Sequence, residues 1–314
     1  MNGDGINQVI LGSGQLGQAI ARELARRGTP ARMVNSRGQT PPGLPQGIQV
    51  LAADLYQPDE VRRVTQGAAL VYHTVQPPYA QWVEKFPPLH ASIIEGLTGS
   101  SARLVMGDNL YMYGPVDGLI HEDLPYAATT RKGSVRARMA EALLTAHAQN
   151  KIRVTIGRGS DFFGPGVTSS IVGESLFGPL AKGKAANVLG NPDLPHTYTF
   201  INDFGKALVI LGEHEEAFGQ VWHVPNAETI NTRQFVALAA EAFGVQPKMM
   251  VAGPLLMRVA SLFVPEVREM IELEYEVTKP YVVDDRKFKN AFGDCSTPLK
   301  ESIALTAAYY KQRK

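Results

Sequence analysis

The chain has 314 residues, with 31 Lys and Arg against 30 Asp and Glu, a formal net charge of +1, and 44% hydrophobic residues. Near neutrality argues against a duplex nucleic-acid binder, which needs a surplus of phosphate-neutralising cations, and the apolar share excludes a disordered chain. A single cysteine, Cys295, excludes an intramolecular disulfide framework and a multi-cysteine zinc site, and no metal-ligand spacing is evident among the histidines and acids. No run of about 18 apolar residues offers a membrane span. The opening Met1–Gly5 lacks the basic and apolar regions of a signal peptide. A cytoplasmic globular protein of one or two domains is expected.

Gln8–Leu11 is a short apolar run that predicts a buried strand. Gly12-Ser13-Gly14-Gln15-Leu16-Gly17 follows at once, and Leu16, Ala19, Ile20 and Leu24 then fall at helical spacing up to a C-cap at Gly28. Strand, glycine turn and helix in that order form a dinucleotide fingerprint. Gly12 permits the tight turn, Gly14 lets a pyrophosphate approach the backbone, and Gly17 lets helix and sheet pack closely. The helix N-terminus offers N–H groups to the phosphates.

The second strand, Ala31–Val34, leads to Asn35, Ser36 and Arg37. An acid here would hold the ribose 2′-hydroxyl of NAD. None is present, and Arg37 can pair with a 2′-phosphate. NADP(H) is therefore expected, with NAD as the alternative.

Further strands are predicted at Ile48–Ala52, Ala69–His73, Arg103–Met106 and Ile152–Ile156, with helices at roughly Leu89–Leu97 and Val135–Ala148. Pro87-Pro88 should separate the first of these helices from a turn at Tyr79–Lys85. Alternating strands and helices predict an α/β fold: a Rossmann-type doubly wound parallel sheet with a smaller, interleaved C-terminal substrate domain. The expected division is residues 1–165 plus about 200–225 for the nucleotide domain, and about 166–199 plus 226–314 for the substrate domain. Ligands should collect at the carboxyl ends of the strands, near Asp54, Thr74, Asp108, Asn109 and Arg158.

In the second part, Val167–Lys182 reads as helix and loop over the site, His196–Phe200 as a strand, and Gln220–Val224 as a return to the nucleotide sheet. Thr232–Phe243 reads as an amphipathic helix capped by Asn231 or Thr232. His196 reads as a loop histidine with substrate contact as the alternative, and His73 as a packed strand end. Pro254–Val264 reads as core or pocket wall.

Taken together, these motifs resemble the short-chain dehydrogenase/reductase superfamily, in its extended and atypical epimerase/dehydratase-like branches. Asp54-Leu55 resembles the adenine-contacting segment, and Thr74-Val75 the segment beside the cofactor. Asn109–Pro115 resembles the segment carrying the catalytic Ser or Thr, Arg158–Gly166 the loop beside nicotinamide and substrate, and Thr199–Phe204 the start of a helix with Asp203 as N-cap.

The departures bear on mechanism. The extended branch has its first glycine where Leu11 stands. The family's proton donor is a Tyr followed four residues later by Lys, yet Lys132–Glu141 contains no Tyr. Alignment on Glu141 puts Gly133 at the Tyr position and Ala137 at the Lys position, and Asn109 replaces the Ser or Thr. Tyr275 with Lys279 and Tyr310 with Lys314 match the spacing only by coincidence. Candidate catalytic residues are then Tyr111, Asn109, Tyr113, Lys132 and Arg136, with Tyr79 a further proton source. Lys132 and Arg136 share a helix face, suited to an anionic substrate or cofactor phosphates if not simply solvated.

Two functions follow. One is an NAD(P)-dependent oxidoreductase or epimerase/dehydratase-like enzyme acting on a small carbonyl, alkene or sugar-like substrate with a non-standard proton donor. The other is a catalytically silent NADP(H)-binding sensor. A small-molecule substrate is the expected partner, without nucleic acid or membrane, and a homodimer is left open.

Overall fold

The computed structural model describes residues 7–253 and 271–313. The apolar stretch Pro254–Val264 lies outside them. Strands β1 (Gln8–Leu11), β2 (Ala31–Asn35), β3 (Ile48–Ala52), β4 (Leu70–His73) and β5 (Arg103–Asp108) join Arg153–Arg158 and Val221–His223 in one parallel sheet of seven strands. The spatial order is Val221–His223, Arg153–Arg158, β5, β4, β1, β2, β3. The order reverses between β4 and β1, which opens a crevice at their carboxyl ends.

Continuous apolar runs are needed because both faces are covered: Val9, Ile10 and Leu11 are wholly buried. Helices α1 (Gln15–Arg26), α2 (Pro58–Thr65), α3 (Trp82–Leu97), α4 (Arg131–Ala148), α5 (Glu174–Ala181), α6 (Ile201–Glu213) and α7 (Thr232–Phe243) complete the main scaffold. On one face Ile20 and Leu24 of α1 share a core with Phe204 and Leu208 of α6. On the other, Phe86 and Ile93 of α3 pack with Met139 and Leu143 of α4. A smaller core joins α5 and α7 to the C-terminal helix Leu299–Gln312, around Phe177 and Phe235.

Three local expectations need correction. Pro87 and Pro88 do not end a segment: α3 runs unbroken from Trp82 through both prolines. Buried Trp82 and Phe86 anchor its first turn, while Val83 and Glu84, whose carbonyls the prolines leave without helical donors, are exposed and can meet water. His196–Phe200 is two short pieces: Pro195–His196 pairs antiparallel with Ile230–Asn231, and Thr199–Phe200 pairs parallel with Phe162–Phe163. Asp203 is not an N-cap. It lies in the first turn of α6 and accepts hydrogen bonds from the Thr297 backbone N–H and hydroxyl, both at 2.7 Å. For α7 the cap is Asn231, in a reciprocal capping box with Gln234.

Candidate functional site

At the carboxyl edge of the sheet lies a cavity of about 720 Å³. Its floor is the glycine turn. Gly12 has φ +112°, and a Cβ there would stand 2.7 Å from the Val75 amide nitrogen. A Cβ on Gly17 would run into the carbonyl oxygen of Gly12, so this close seat of α1 requires glycine. Thr74 braces the turn, its hydroxyl donating to the carbonyl of Leu11 at 3.1 Å. The Gln18 amide donates to the Ser13 carbonyl at 2.9 Å.

Helix α1 starts with no side-chain cap and no acid in its first turn, and the space around Gly14 is open. Its first N–H groups and the positive end of its dipole face the cavity floor, a fit for a diphosphate. Ser13, Gly14, Gln15 and Leu16 line the same floor.

Asn35, Ser36, Asp54 and Leu55 line the wall beyond β2 and β3. The Asn35 side chain is spent on the loop itself. It accepts from the N–H groups of Arg37 and Gln39 and donates to the Gln39 carbonyl at 2.8 Å. That turn leaves Ser36 on the wall and Arg37 exposed beside it, outside the cavity lining. Asp54 accepts from the Tyr56 N–H at 3.0 Å.

The opposite end, beyond β4, β5 and Arg153–Arg158, is walled by Val75, Tyr79, Trp82, Asn109, Tyr111, Asp161, Glu276 and Tyr281. Asn109 uses its side-chain oxygen to accept from the Tyr111 N–H, which starts the turn Tyr111–Tyr113. Tyr79 and Tyr111 are joined by a side-chain hydrogen bond, and burial, followed by nearby acids, raises both hydroxyls above the ordinary tyrosine range. Asp161 takes His196 Nε2 at 3.0 Å, and His196 stacks on Tyr198 and Tyr281. Glu276 is buried; burial first, then Asp161, pushes it well above the usual carboxylate range.

Three of the candidate catalytic residues stand outside this lining. Tyr113 is buried, receives a 2.6 Å hydrogen bond from Arg158 and contacts His223 at 2.9 Å, and its hydroxyl is pushed up to about 12 by burial. Lys132 and Arg136 are not solvated but buried. Lys132 pairs with Glu272 at 2.6 Å and lies 4.4 Å from the ring centre of Tyr79. Arg136 pairs with Asp108 at 3.1 Å and stacks on Trp82 and Phe86. Both therefore support the cavity wall from behind. His73 is a buried strand end, as expected, against His90 at 3.4 Å.

Gly133 is closed in: a Cβ there would stand 2.5 Å from Ala128 Cβ and 2.6 Å from the Tyr111 carbonyl oxygen. Of the two Tyr–Lys spacings, Lys279 is ion-paired with Asp117 and the Tyr310 hydroxyl donates to the Val167 carbonyl; Lys314 lies outside the described residues. Asp161 lies in the Arg158–Gly166 segment expected beside nicotinamide and substrate, whereas Glu276 belongs to no motif in the sequence. Glu276 sits in Glu272-Leu273-Glu274-Tyr275-Glu276, where nothing local distinguishes the one glutamate that the fold buries.

Among the described residues no helix is long and apolar enough to cross a membrane, and no group of three or more His, Cys, Asp or Glu is placed to hold a metal.

The reversed parallel sheet with a glycine-floored crevice defines a Rossmann-type α/β protein. The NAD dependent epimerase/dehydratase family model matches residues 9–224, and the chain belongs to that family. Isoforms 2 and 1 of 3beta-hydroxysteroid-dehydrogenase/decarboxylase from Arabidopsis thaliana are 22% and 24% identical to it, each over 74% of this chain and over 43% and 56% of their own. The chain thus spans about half the length of the curated relatives it matches. Among solved structures, UDP-glucuronic acid 4-epimerase from Bacillus cereus in complex with NAD has a TM-score of 0.77 at 15% identity, covering 98% of this chain and 99% of that one. UDP-glucose 4-epimerase from Thermotoga maritima, with UDP-glucose, has a TM-score of 0.79 at 14% identity, over 98% and 99% of the two chains. At these identities the likeness shows the fold.

Proposed function

We infer that this chain is an NAD(P)-dependent oxidoreductase or epimerase/dehydratase-like enzyme whose substrate is a small carbonyl, alkene or sugar-like molecule. The observation that carries this reading is one continuous cavity running from the uncapped start of α1 to a wall of Tyr79, Tyr111, Asp161 and Glu276. The backbone of Gly12–Leu16 would hold the diphosphate, and Thr74 and Val75 would back the coenzyme. Asn35, Ser36, Asp54 and Leu55 would hold the adenosine, with Arg37 next to Ser36 favouring a 2′-phosphate, hence NADP(H). Several structural neighbours carry NAD, which supports the coenzyme class and leaves the phosphate preference to Arg37.

When bound, a nicotinamide coenzyme supplies or takes a hydride. This chain's residues orient the partners and shield them from water. Trp82, Leu89 and Tyr281 form an apolar enclosure, and the carboxyl groups of Asp161 and Glu276 favour an uncharged substrate over an anionic one. The same proposal takes the sheet with its covering helices as the nucleotide domain and the lobe of α5, α7 and Leu299–Gln312 as the substrate domain, in a cytoplasmic protein with a homodimer left open. The test is incubation with NADPH or NADH and a panel of ketones, enones and nucleotide sugars. Coenzyme oxidation with at least one class is expected. Tight coenzyme binding without turnover of any compound would favour the sensor reading instead.

A further inference from the structure

We propose that Glu276, which shares the inner cavity wall with Asp161, gives and takes the proton that accompanies hydride transfer, the task for which Gly133 has no side chain. The proposal rests on the coenzyme reading above and goes beyond it by naming the acid.

The placement comes from the sheet. Diphosphate on the glycine turn and adenosine over β2 and β3 leave the redox half of the coenzyme on the far side of the switch point. There Asp161 follows the strand Arg153–Arg158, and Glu276 closes the cavity from the short helix Tyr275–Thr278. That helix is fixed in place: the Asn191 N–H donates to the Val277 carbonyl at 2.8 Å, and the Tyr281 N–H to the Pro195 carbonyl at 2.9 Å.

The groups facing Glu276 favour its protonated form over its carboxylate. Asp161 is an acid, and the hydroxyls of Tyr275, Tyr281, Tyr111 and Tyr79 carry no positive charge. Tyr281 hydrogen-bonds Glu276, an interaction that favours the ionised form but is outweighed by burial and by Asp161. His196 and Lys279 border an adjoining small cleft, where His196 is engaged by Asp161 and Lys279 by Asp117. Among the described residues no cation pairs with Glu276. Burial and the facing carboxyl of Asp161 therefore both favour the protonated form of Glu276.

The step balances. In the reducing direction a carbonyl carbon receives the hydride. The Glu276 O–H bond breaks as an O–H bond forms on the former carbonyl oxygen. The substrate is reduced to an alcohol, the coenzyme is oxidised, and Glu276 is left as a carboxylate that refills from solvent.

The experiment is titration calorimetry with NADP+ and with NADPH, in two buffers of different ionisation enthalpy at pH 7. The oxidised nicotinamide ring is cationic, so its arrival should ionise Glu276. Close to one proton released on NADP+ binding and none on NADPH binding is expected. Glu276→Gln should bind NADP+ without release. Asp161→Asn, which keeps Glu276 but removes its acidic neighbour, should shift the pH window of release downward. Melting curves of both variants show that they are folded. NADP+ binding without proton release by the wild-type protein, or equal release by folded Glu276→Gln, would overturn this proposal and leave the coenzyme reading standing. Failure of both coenzyme forms to bind would overturn the coenzyme reading itself. If Glu276→Gln does not fold, unchanged proton release in Asp161→Asn would overturn the proposal.

Discussion

The carbonyl oxygen of Tyr111 lies 2.6 Å from the point where a side chain on Gly133 would begin. Helix α4 and the turn Tyr111–Tyr113 are therefore pressed together at the position where the family resemblance would place a tyrosine. A helical Gly→Ala change ordinarily stabilises by about 1 kcal/mol. Here the new methyl also meets Ala128 Cβ at 2.5 Å and Thr130 Oγ1 at 2.8 Å. Gly133→Ala should destabilise by about 1–3 kcal/mol, measured by urea unfolding. Gly133→Tyr with Ala137→Lys should fail to build the standard acid, seen as lower stability without new carbonyl reduction.

Asp108 is wholly buried between two arginines, 3.1 Å from Arg136 and 3.7 Å from Arg158. Asp108→Ala would leave two buried cations facing each other. A loss of about 3–5 kcal/mol is expected, read as a lowered urea midpoint.

The buried histidines should lower stability in mild acid. His90 and His223 are held down to about 4 and about 3 by burial, and His73 is lowered in the same direction. Each is neutral in the fold but takes a proton in the unfolded chain below about pH 6.5. At these sites the unfolded state thus binds more protons between about pH 6.5 and 4, and their contribution to stability drops as pH falls through that window. The raised carboxyl of Glu276 acts in the opposite sense, so the histidine contribution is read as the difference in melting temperature between wild type and a histidine variant from pH 7 to 4. His90→Gln should lose less on acidification than the wild type.

Arg37 is exposed next to Ser36 of the cavity wall, so its removal should spare the fold. Arg37→Ala should weaken NADPH binding about tenfold, the scale of one charge-assisted contact, and leave NADH binding unchanged in parallel titrations. Equal loss for both coenzymes would remove the basis for a 2′-phosphate preference.

The strands, the glycine turn and α7 with its cap were readable because they depend on neighbours in the chain: apolar runs, φ-permissive glycines, and Asn231 three residues before Gln234. Pro87-Pro88 misled because the exposure of Val83 and Glu84, which makes the prolines tolerable, is a tertiary fact. Lys132 and Arg136 occupy one helix face, as spacing dictates. Whether that face meets water or Glu272 and Asp108 is set by segments far off in the chain. The inner wall was least legible. Asp161 falls in the Arg158–Gly166 segment that the resemblance sets beside nicotinamide, but no local pattern marks Glu276, 115 residues further on, as sharing its cavity.

The central claim is that a nicotinamide coenzyme lies on the glycine turn with its redox half beside Trp82. Titration of NADPH and NADH against tryptophan fluorescence tests it most directly, since Trp82 lines the cavity and Trp222 does not. Saturable quenching is predicted, lost in Trp82→Phe while the binding heat persists, and both signals abolished by Gly12→Val. No saturable quenching and no heat up to millimolar coenzyme with the wild-type protein would contradict the account.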